Sequence, residues 1–410
     1  MRRSSLWSYE NGLVLMMSLT NGVVTLDRLA VNFLSPYIVG EFHLNNTQLG
    51  LLASGLSVAI AGSGFLLASL ADATGRRKLI LLVMLTLFSL FSALSGLANG
   101  FARLLGARII LGVAEGPLAP IAQSVVALES SEHRRGLNMG IMLNLAAALV
   151  GGGLGPILAT HLAEAFGWRS AFFVSGIPGL ILAVAIAFWM RRPPEPRPEA
   201  PEAKAPLGTG VLSLLGSRNI LLCIAISGLF SAWLLVQSVF LPLYLVRIDG
   251  LKPTDMGFVV AATSLSVAAG GMIVPAISDR IGRRLALVAI CFFGVTAPLA
   301  TLFVHGPTWL LTLALVAGYF AGGAGPLYVA VIPTESAPAR HAAKAVAISL
   351  ASGELIGGVL APTLAGRAAD LFGSGAPFWI SGGCAAICGV LSLLVIETAP
   401  AVLGRAGRAA

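Results

Sequence analysis

Four ionisable side chains interrupt apolar segments in the first half of the chain: Asp27, Arg28, Arg108 and Glu115. Asp27 and Arg28 are adjacent, so on a helix their side chains point about 100° apart and need different partners. Arg108 and Glu115 are two helical turns apart and therefore share one face. Charges in such surroundings are costly unless they pair or reach water. The pattern favours cations that attract an anionic ligand beside carboxylates that gain and lose a proton, with two structural ion pairs as the alternative.

Glu354 is a fifth ionisable group within an apolar segment, at a position where the first half of the chain has Ala148. It follows Ser349 and Ser352, so it belongs to a locally polar stretch. The sequence predicts either a second proton site or a hydrogen-bond partner for a ligand, and both alternatives stay open.

A stripe of polar residues follows one face of the first apolar segment. Its members, three or four residues apart, are Ser18, Asn21, Thr25, Arg28, Asn32 and Ser35. A spacing of this kind places side chains on one side of a helix. The second half repeats the stripe with Ser227, Ser231, Leu234 and Ser238, so the cation is missing there. We expect the two stripes to face each other and to line a central cavity with positive charge on one wall.

The composition identifies a membrane protein. The chain is 57% hydrophobic and 11% charged, with a mean hydropathy of +0.89, which leaves too little polar surface for a water-soluble globule. Apolar stretches long enough to cross a bilayer recur along the whole chain. We predict an all-α, polytopic protein with membrane helices at residues 11–37, 47–70, 79–98, 103–128, 137–161, 171–190, 219–246, 256–277, 285–304, 308–332, 342–366 and 376–396.

The net charge of +8 reflects membrane topology. Most of the 26 Lys and Arg residues fall in loops on one side when both termini are placed on that side, as the positive-inside rule requires. We therefore expect cytoplasmic termini in a bacterial inner membrane, with the lipid bilayer and no nucleic acid as partner. The five His residues lie at helix ends or in loops, and no metal-ligand spacing occurs in the apolar segments. These features predict a protein that is not an enzyme and binds no metal.

The sequence repeats itself with a shift of 206 residues. Matched pairs are Gly22 and Gly228, Pro36 and Pro242, Gly112 and Gly318, Pro120 and Pro326, and Pro156 and Pro362. At the four charged positions of the first copy the second copy has Trp233, Leu234, Ala314 and Ala321. The predicted domains are a six-helix bundle at 1–190, a Pro-rich cytoplasmic linker at 191–218, a second bundle at 219–397 and a cytoplasmic tail at 398–410. Parallel six-helix repeats are typical of transporters with a substrate site near the membrane midplane.

Charged loop motifs occur at matched places in both copies, and we predict that they act as gates. After the second and eighth helices the candidates are Asp72, Arg76 and Arg77, and Asp279, Arg283 and Arg284. After the fourth and tenth helices they are Glu129 with Arg134, and Glu335 with Arg340. Pairing between such groups would hold one conformation and would have to break in the other.

These motifs resemble the loop motif of the major facilitator superfamily. Asn21-Gly22, Leu26-Asp27-Arg28, Arg108 with Glu115-Gly116, and Gly167-Trp168-Arg169 resemble its anion:cation symporter family over essentially the whole chain. The resemblance implies uptake of a small organic anion, such as a sugar acid or an aromatic acid, together with protons. It implies proton coupling at Asp27 and Glu115 and carboxylate binding at Arg28, whereas Glu354 stands where relatives more often have Asn.

From the residues and the resemblance together we expect a proton-coupled symporter that works by alternating access, functions as a monomer and needs no cofactor besides protons. A proton-driven multidrug efflux antiporter is the alternative, because Gly151-Gly152-Gly153-x-Gly155-Pro156 partly resembles an antiporter motif. The proton-coupling candidates are Asp27, Glu115 and Glu354. The substrate-binding candidates are Arg28, Arg108, Asn21, Asn32, Tyr37, Ser231, Gln237 and Glu354.

Overall fold

The computed structural model describes residues 9–191, 214–338, 341–400 and 402, and within these ranges the chain forms twelve long helices, α1 to α12. They are α1 Tyr9–Phe42, α2 Asn46–Thr74, α3 Arg77–Gly96, α4 Phe101–Glu129, α5 Arg135–Phe166, α6 Trp168–Trp189, α7 Arg218–Arg247, α8 Pro253–Ile281, α9 Arg283–Phe303, α10 Thr308–Ser336, α11 Ala342–Phe372 and α12 Ala376–Ser392. The predicted linker and tail lie largely outside the described residues.

Eleven of these helices are long and apolar enough to cross a membrane, and α12 is a shorter apolar helix. The predicted all-α polytopic fold is confirmed. α1 continues through Pro36 to Phe42, beyond the predicted end at 37. Proline within a membrane helix is tolerated because neighbouring groups satisfy the carbonyl that it leaves free.

The described helices belong to two compact units. The first contains α1, α3 to α6, most of α2 and the beginning of α8, and the second contains α7, α9 to α12, most of α8 and the beginning of α2. The division within α2 falls between Ser54 and Gly55, and that within α8 falls between Ala261 and Ala262. Two helices are therefore shared between the units.

Each unit exposes large apolar side chains and buries apolar side chains together with some polar and small ones. Phe188 and Phe372 are more than four-fifths exposed, as expected for side chains that contact lipid. Inside the first unit, Gly22 of α1 lies so close to Ala146 of α5 that a Cβ would approach its carbonyl oxygen to 2.7 Å. Small residues at such contacts allow membrane helices to pack closely without a hydrophobic driving force.

Three of the described helices, α5, α10 and α11, contain π-helical segments, and those of α5 and α11 include a pair at matching places. In α5 the π segments are Ile141–Leu145 and Ala147–Leu154, and in α11 the segment is Gly353–Leu360. Ala147–Leu154 and Gly353–Leu360 correspond under the 206-residue repeat. Such segments shift the backbone carbonyls out of the α pattern and are frequent at functional sites. Hydropathy predicts these stretches as ordinary α-helix, because their composition is equally apolar in either form.

Candidate functional site

Asp27 lies at the centre of a buried polar cluster in the first unit. Its side chain is fully buried, and its Oδ2 is 3.1 Å from Nη1 of Arg108, which is also buried. Its Oδ1 accepts hydrogen bonds from Ser175, at 2.9 Å, and from Ser92. Four helices, α1, α3, α4 and α6, therefore meet at one carboxylate.

Arg108 also holds the backbone of α1. Its Nη2 donates to the carbonyl oxygen of Arg28 at 3.0 Å and to that of Asp27 at 3.2 Å. Sequence reasoning included Arg108 among the substrate contacts, whereas the structure gives its guanidinium buried partners on α1. In this arrangement Arg108 fixes the position from which the Arg28 side chain extends.

Arg28 and Glu115 form a second pair with unequal access to solvent. Nε and Nη2 of Arg28 each lie 2.6 Å from Oε1 of Glu115. The Arg28 side chain is 40% exposed, whereas that of Glu115 is fully buried. Within the described residues, Oε2 of Glu115 is buried without a hydrogen-bond partner. An accessible cation thus rests on a carboxylate that is hydrogen-bonded at one oxygen.

The polar residues along α1 lie in different surroundings, and those nearer its N-terminus contact α5. Ser18 donates to the carbonyl oxygen of Ile141, and Asn21 donates to that of Leu143 at 2.8 Å. Both acceptors lie in the first π segment of α5, so this part of the stripe satisfies displaced carbonyls. Further along, Asn32 is buried and Tyr37 is half-buried. Sequence periodicity identified the polar face of α1 but not its contact with α5.

The second unit fills the matching space with an aromatic cluster. Trp233, at the repeat position of Asp27, is fully buried and donates from Nε1 to the carbonyl oxygen of Gly294 at 2.9 Å. Its ring lies 4.7 Å from that of Phe230 and 5.9 Å from that of Tyr319. In the second unit, packed aromatic rings therefore occupy the repeat position that the buried Asp27–Arg108 ion pair occupies in the first unit.

The predicted substrate contacts of the second unit lie on α7 and α11. Gln237 is fully buried, and neither its amide nitrogen nor its amide oxygen has a hydrogen-bond partner among the described residues. The Tyr319 hydroxyl on α10 has the same property. Glu354 is half-buried in the π segment of α11, and Ser231 packs against Gly353 on that segment. Buried polar groups without partners cost free energy and require an explanation.

The predicted gate residues of the second unit form a connected network. Arg283 bonds to Asp279 at 2.5 Å and to Glu335 at 3.1 Å. Glu397, which sequence reasoning did not assign to the gate, accepts hydrogen bonds from the backbone N–H groups of Arg283 and Arg284 at the start of α9. An acidic cap is detectable in sequence when it directly precedes its helix. Glu397 lies 114 residues after Arg283, so the sequence does not indicate this contact.

Burial alone would raise the pKa of the Glu397 carboxyl. Backbone hydrogen bonds outweigh that effect, so the pKa of Glu397 is lowered from its ordinary value of 4.5. The donors are the N–H groups of Ala399, Arg283, Arg284 and Thr398. The carboxylate is thus ionised and holds the end of α12 against the start of α9.

The first unit has a different arrangement at its loops. Glu129 and Arg134 form no ion pair with each other within the described residues; instead, Glu10 of α1 accepts hydrogen bonds from Ser131 and from Asn138 at 2.6 Å. Arg77 is buried and Arg76 is exposed at the start of α3. Arg340 and the side chain of Asp72 lie outside the described residues.

A family model described as Major Facilitator Superfamily matches residues 17–351 and 250–409, which together span most of the chain. The chain belongs to the major facilitator superfamily. As a member of the major facilitator superfamily it is a multi-pass membrane transporter and not an enzyme.

Two similar proteins are named as transporters. The hexuronate transporter of Bacillus subtilis (strain 168) is 28% identical over 96% of this chain and 95% of its own length. The 3-(3-hydroxy-phenyl)propionate transporter of Escherichia coli (strain K12) is 28% identical over 87% of this chain and 85% of its own length. A bacterial homologue of the human lysosomal transporter Spinster has a TM-score of 0.77 at 19% identity, with 96% of each chain covered, which supports the fold alone.

Proposed function

We propose that this transporter takes up a small organic carboxylate together with protons. The observation that supports this function best is the pair between half-exposed Arg28 and fully buried Glu115. A guanidinium binds a carboxylate through two parallel N–H groups, so it recognises an organic anion with defined geometry. The similarity to transporters named for a hexuronate and for a hydroxyphenylpropionate agrees with a carboxylate cargo.

Competition for Arg28 couples the anion to the proton in this proposal. Glu115 occupies the guanidinium at Nε and Nη2, one of the edges through which it could bind a carboxylate ligand with two parallel N–H groups. When the ligand takes these donors, Glu115 is left buried without its cation, and a buried unpaired carboxylate is strongly disfavoured. Glu115 therefore takes up a proton as the anion binds. Release of the proton restores the original pair and expels the anion.

Asp27 is proposed as a second proton acceptor, with Arg108 as a positioning residue. Asp27 accepts three side-chain hydrogen bonds in a fully buried site, so its charge is compensated in this conformation. Proton uptake at Asp27 would release Arg108 and with it the backbone of Arg28. Ser231, Gln237 and Glu354 remain the proposed substrate contacts of the second unit.

The proposed orientation follows from the positive-inside rule. Both termini are placed in the cytoplasm of a bacterial cell, and uptake runs toward the basic side. We propose a functional monomer with no cofactor other than the coupling protons.

Uptake into proteoliposomes tests the proposal. Labelled sugar acids, aromatic acids and short hydroxy acids are offered under an imposed inward proton gradient, with a protonophore as control. Accumulation that collapses with the protonophore supports proton-coupled uptake. The proposal is wrong if no acid accumulates while a cationic dye moves against the proton gradient, since that result is typical of an efflux antiporter.

Arg28→Lys tests whether carboxylate uptake depends on the guanidinium of Arg28. It keeps the positive charge but loses the planar pair of donors, so we expect uptake to fall at least tenfold while the protein stays folded. Uptake of a carboxylate at the parent rate would contradict the role of Arg28.

A further inference from the structure

An apolar cavity of about 400 Å³ lies within the second unit, between α8, α9 and α10. Its lining includes Ile277, Ile281, Ala286, Ala289, Phe293 and Phe320. The volume lies within the range of small-molecule sites, roughly 300–1,000 Å³. All of the side chains that line the cavity are apolar, so they offer no hydrogen bond to a sugar acid or another polar ligand. The cavity is therefore suited to an apolar occupant.

The cavity is a groove that opens on the outer surface of the unit. Val274 and Ala286, each 5% exposed, form its floor. Ile277, Ile281 and Phe293, each more than two-fifths exposed, form its rim. Exposed apolar side chains on a membrane helix lie against the acyl chains of the bilayer. The open side of the groove thus faces lipid, and lipid is the apolar material that can enter it.

The groove starts at one end of α8 and runs inward. α8 has 29 residues, more than the ~20 that cross the hydrocarbon core, and its last turn contains Arg280, so this end lies in the headgroup region. From Ile281 the lining continues to Val274, a distance of ~10 Å along the helix. One leaflet supplies about half of the ~30 Å hydrocarbon core. The groove therefore has the direction and depth of an acyl chain within a single leaflet.

Arg280 is a cation at the outer end of the groove. It follows Ile277 by three residues and adjoins Ile281, so it lies beside the groove on α8. Its side chain is exposed and has no hydrogen bond or ion pair within the described residues. A guanidinium pairs with a phosphate through two parallel N–H groups, and basic pockets between membrane helices bind anionic headgroups. The groove and the cation together match the two parts of an anionic phospholipid.

The first copy of the repeat has neither the cation nor the small side chains. The loop after α8 matches the loop after α2 with a shift of 207 residues, which aligns Gly282 with Gly75. The first copy then has alanine in place of the arginine and leucine in place of two alanines; the matched pairs are Ala73 and Arg280, Leu79 and Ala286, and Leu82 and Ala289. Leucine is larger than alanine and would take up space that the groove leaves open. Volume and charge are thus combined in the second unit.

We propose that this groove is a binding site for an anionic phospholipid. One acyl chain lies along Ile277, Ala286 and Ala289, and the phosphate pairs with Arg280. The lipid belongs to the leaflet on the side of the α8–α9 loop. An acyl chain of a neutral lipid fits the same groove, so Arg280 supplies the preference for an anionic headgroup. The site is independent of Arg28 and Glu115 and of which substrate is transported.

Native mass spectrometry of the delipidated full chain in detergent tests the site without any substrate. The protein is titrated with a phosphatidylglycerol and, separately, with a phosphatidylcholine of the same acyl chains, and the dissociation constant of the first bound lipid is measured for each. We expect phosphatidylglycerol to bind about fivefold more tightly, the effect of one basic residue on an anionic lipid. Equal affinities for the two lipids would overturn the proposal.

Arg280→Gln removes the cation and leaves the groove intact. We expect the preference for phosphatidylglycerol to disappear, because the variant binds both lipids through the acyl chain alone. Arg135→Gln is the matched control, since Arg135 is also exposed, at the start of α5, and does not line the groove. It should keep the preference of the parent chain. A preference that survives Arg280→Gln, or that Arg135→Gln abolishes to the same extent, would show that the headgroup does not bind beside this groove.

Ala289→Phe fills the groove and keeps the cation. Ala289 is exposed, so the larger side chain enters the groove and not the packed interior. We expect the affinity for both lipids to fall roughly tenfold, the effect of displacing about two methylene groups. Leu82→Phe, at the repeat position, should leave both affinities unchanged. Parent affinities in Ala289→Phe would overturn the proposal, and so would a dimer of the parent chain that Ala289→Phe dissociates, because a second copy would then cover the groove.

Discussion

Glu115 has one carboxylate oxygen against the Arg28 guanidinium and one buried without a hydrogen bond in the described chain. Leaving such a group unsatisfied costs roughly 1–3 kcal/mol, or more for a charged group. A protein selected for stability alone would replace this pair with packed apolar side chains, as the second unit does with Leu234 and Ala321. The incomplete hydrogen bonding is consistent with a carboxylate that exchanges its proton.

Replacing Glu115 with Gln separates binding from coupling. Glutamine keeps the size of the side chain and one hydrogen-bond acceptor for Arg28, but it cannot release a proton. We expect exchange of labelled for unlabelled anion to persist, while accumulation driven by a proton gradient falls to the level seen with a protonophore. Accumulation at the parent level in Glu115→Gln would exclude Glu115 as the coupling group.

Substitutions at Asp27 and Arg108 test how much their ion pair contributes to the stability of the fold. Arg108→Ala leaves Asp27 buried without its cation and should destabilise the protein by roughly 3–5 kcal/mol. The double variant Asp27→Ala with Arg108→Ala removes both charges, so we expect it to be less destabilised than Arg108→Ala alone. Equilibrium unfolding in detergent of this double variant and of the single variants Asp27→Ala and Arg108→Ala measures the difference. If the destabilisation of the double variant equals the sum for the two single variants, the pair is not coupled. Uptake should be lost in all three variants.

At the scale of elements, the start of α9 depends on a residue beyond the end of α12. Glu397 accepts backbone N–H groups of α9, and Arg283 in the same turn bonds to Asp279 and Glu335. Gly282 precedes α9 with a φ of 106°, and a Cβ there would also lie 2.5 Å from Glu397 Oε2. Position 282 therefore needs a glycine both for the turn and for the cap, because a side chain there would collide with the Glu397 carboxylate.

Glu397→Gln should weaken this contact by about 1 kcal/mol, the usual value of a helix cap. The pKa of Glu397 is lowered in the folded protein from 4.5, so its contribution to stability is present above that pH and is lost as the pH falls through the folded value. We expect the difference in unfolding temperature between parent and variant to be complete at pH 7 and to shrink below about pH 4.5. A difference independent of pH would mean that the ionised carboxylate is not responsible.

At the scale of the whole molecule, the distribution of basic residues predicts which loops face the cytoplasm. Asn99, between α3 and α4, and Glu132, between α4 and α5, are both exposed and should lie on opposite sides. In intact cells we expect a membrane-impermeant maleimide to label Asn99→Cys, and to label Glu132→Cys after permeabilisation. The reverse pattern would invert the proposed orientation.

Sequence information sufficed for the all-α polytopic fold because a bilayer accepts few structures and sets the length of its helices. It also identified Asp27, Arg28, Arg108 and Glu115, since charge within an apolar segment is conspicuous. It could not determine which of them pair, because partners depend on the rotation of each helix about its axis. Ser92 and Ser175 illustrate the limit. They complete the site of Asp27, yet nothing in their own segments distinguishes them from other serines.

The π segments Ala147–Leu154 and Gly353–Leu360 have a consequence for the comparison of the two copies. The shift between the copies is 206 residues both before these segments, at Pro120 and Pro326, and after them, at Pro156 and Pro362. Both copies therefore keep this irregular stretch in the same register, and its π hydrogen bonding belongs to what the two halves share. The four charges distinguish the halves, because the second copy has Trp233, Leu234, Ala314 and Ala321 at those positions. A mechanism that uses the irregular helix is thus available to both halves, whereas one that uses the charges is available to the first half alone.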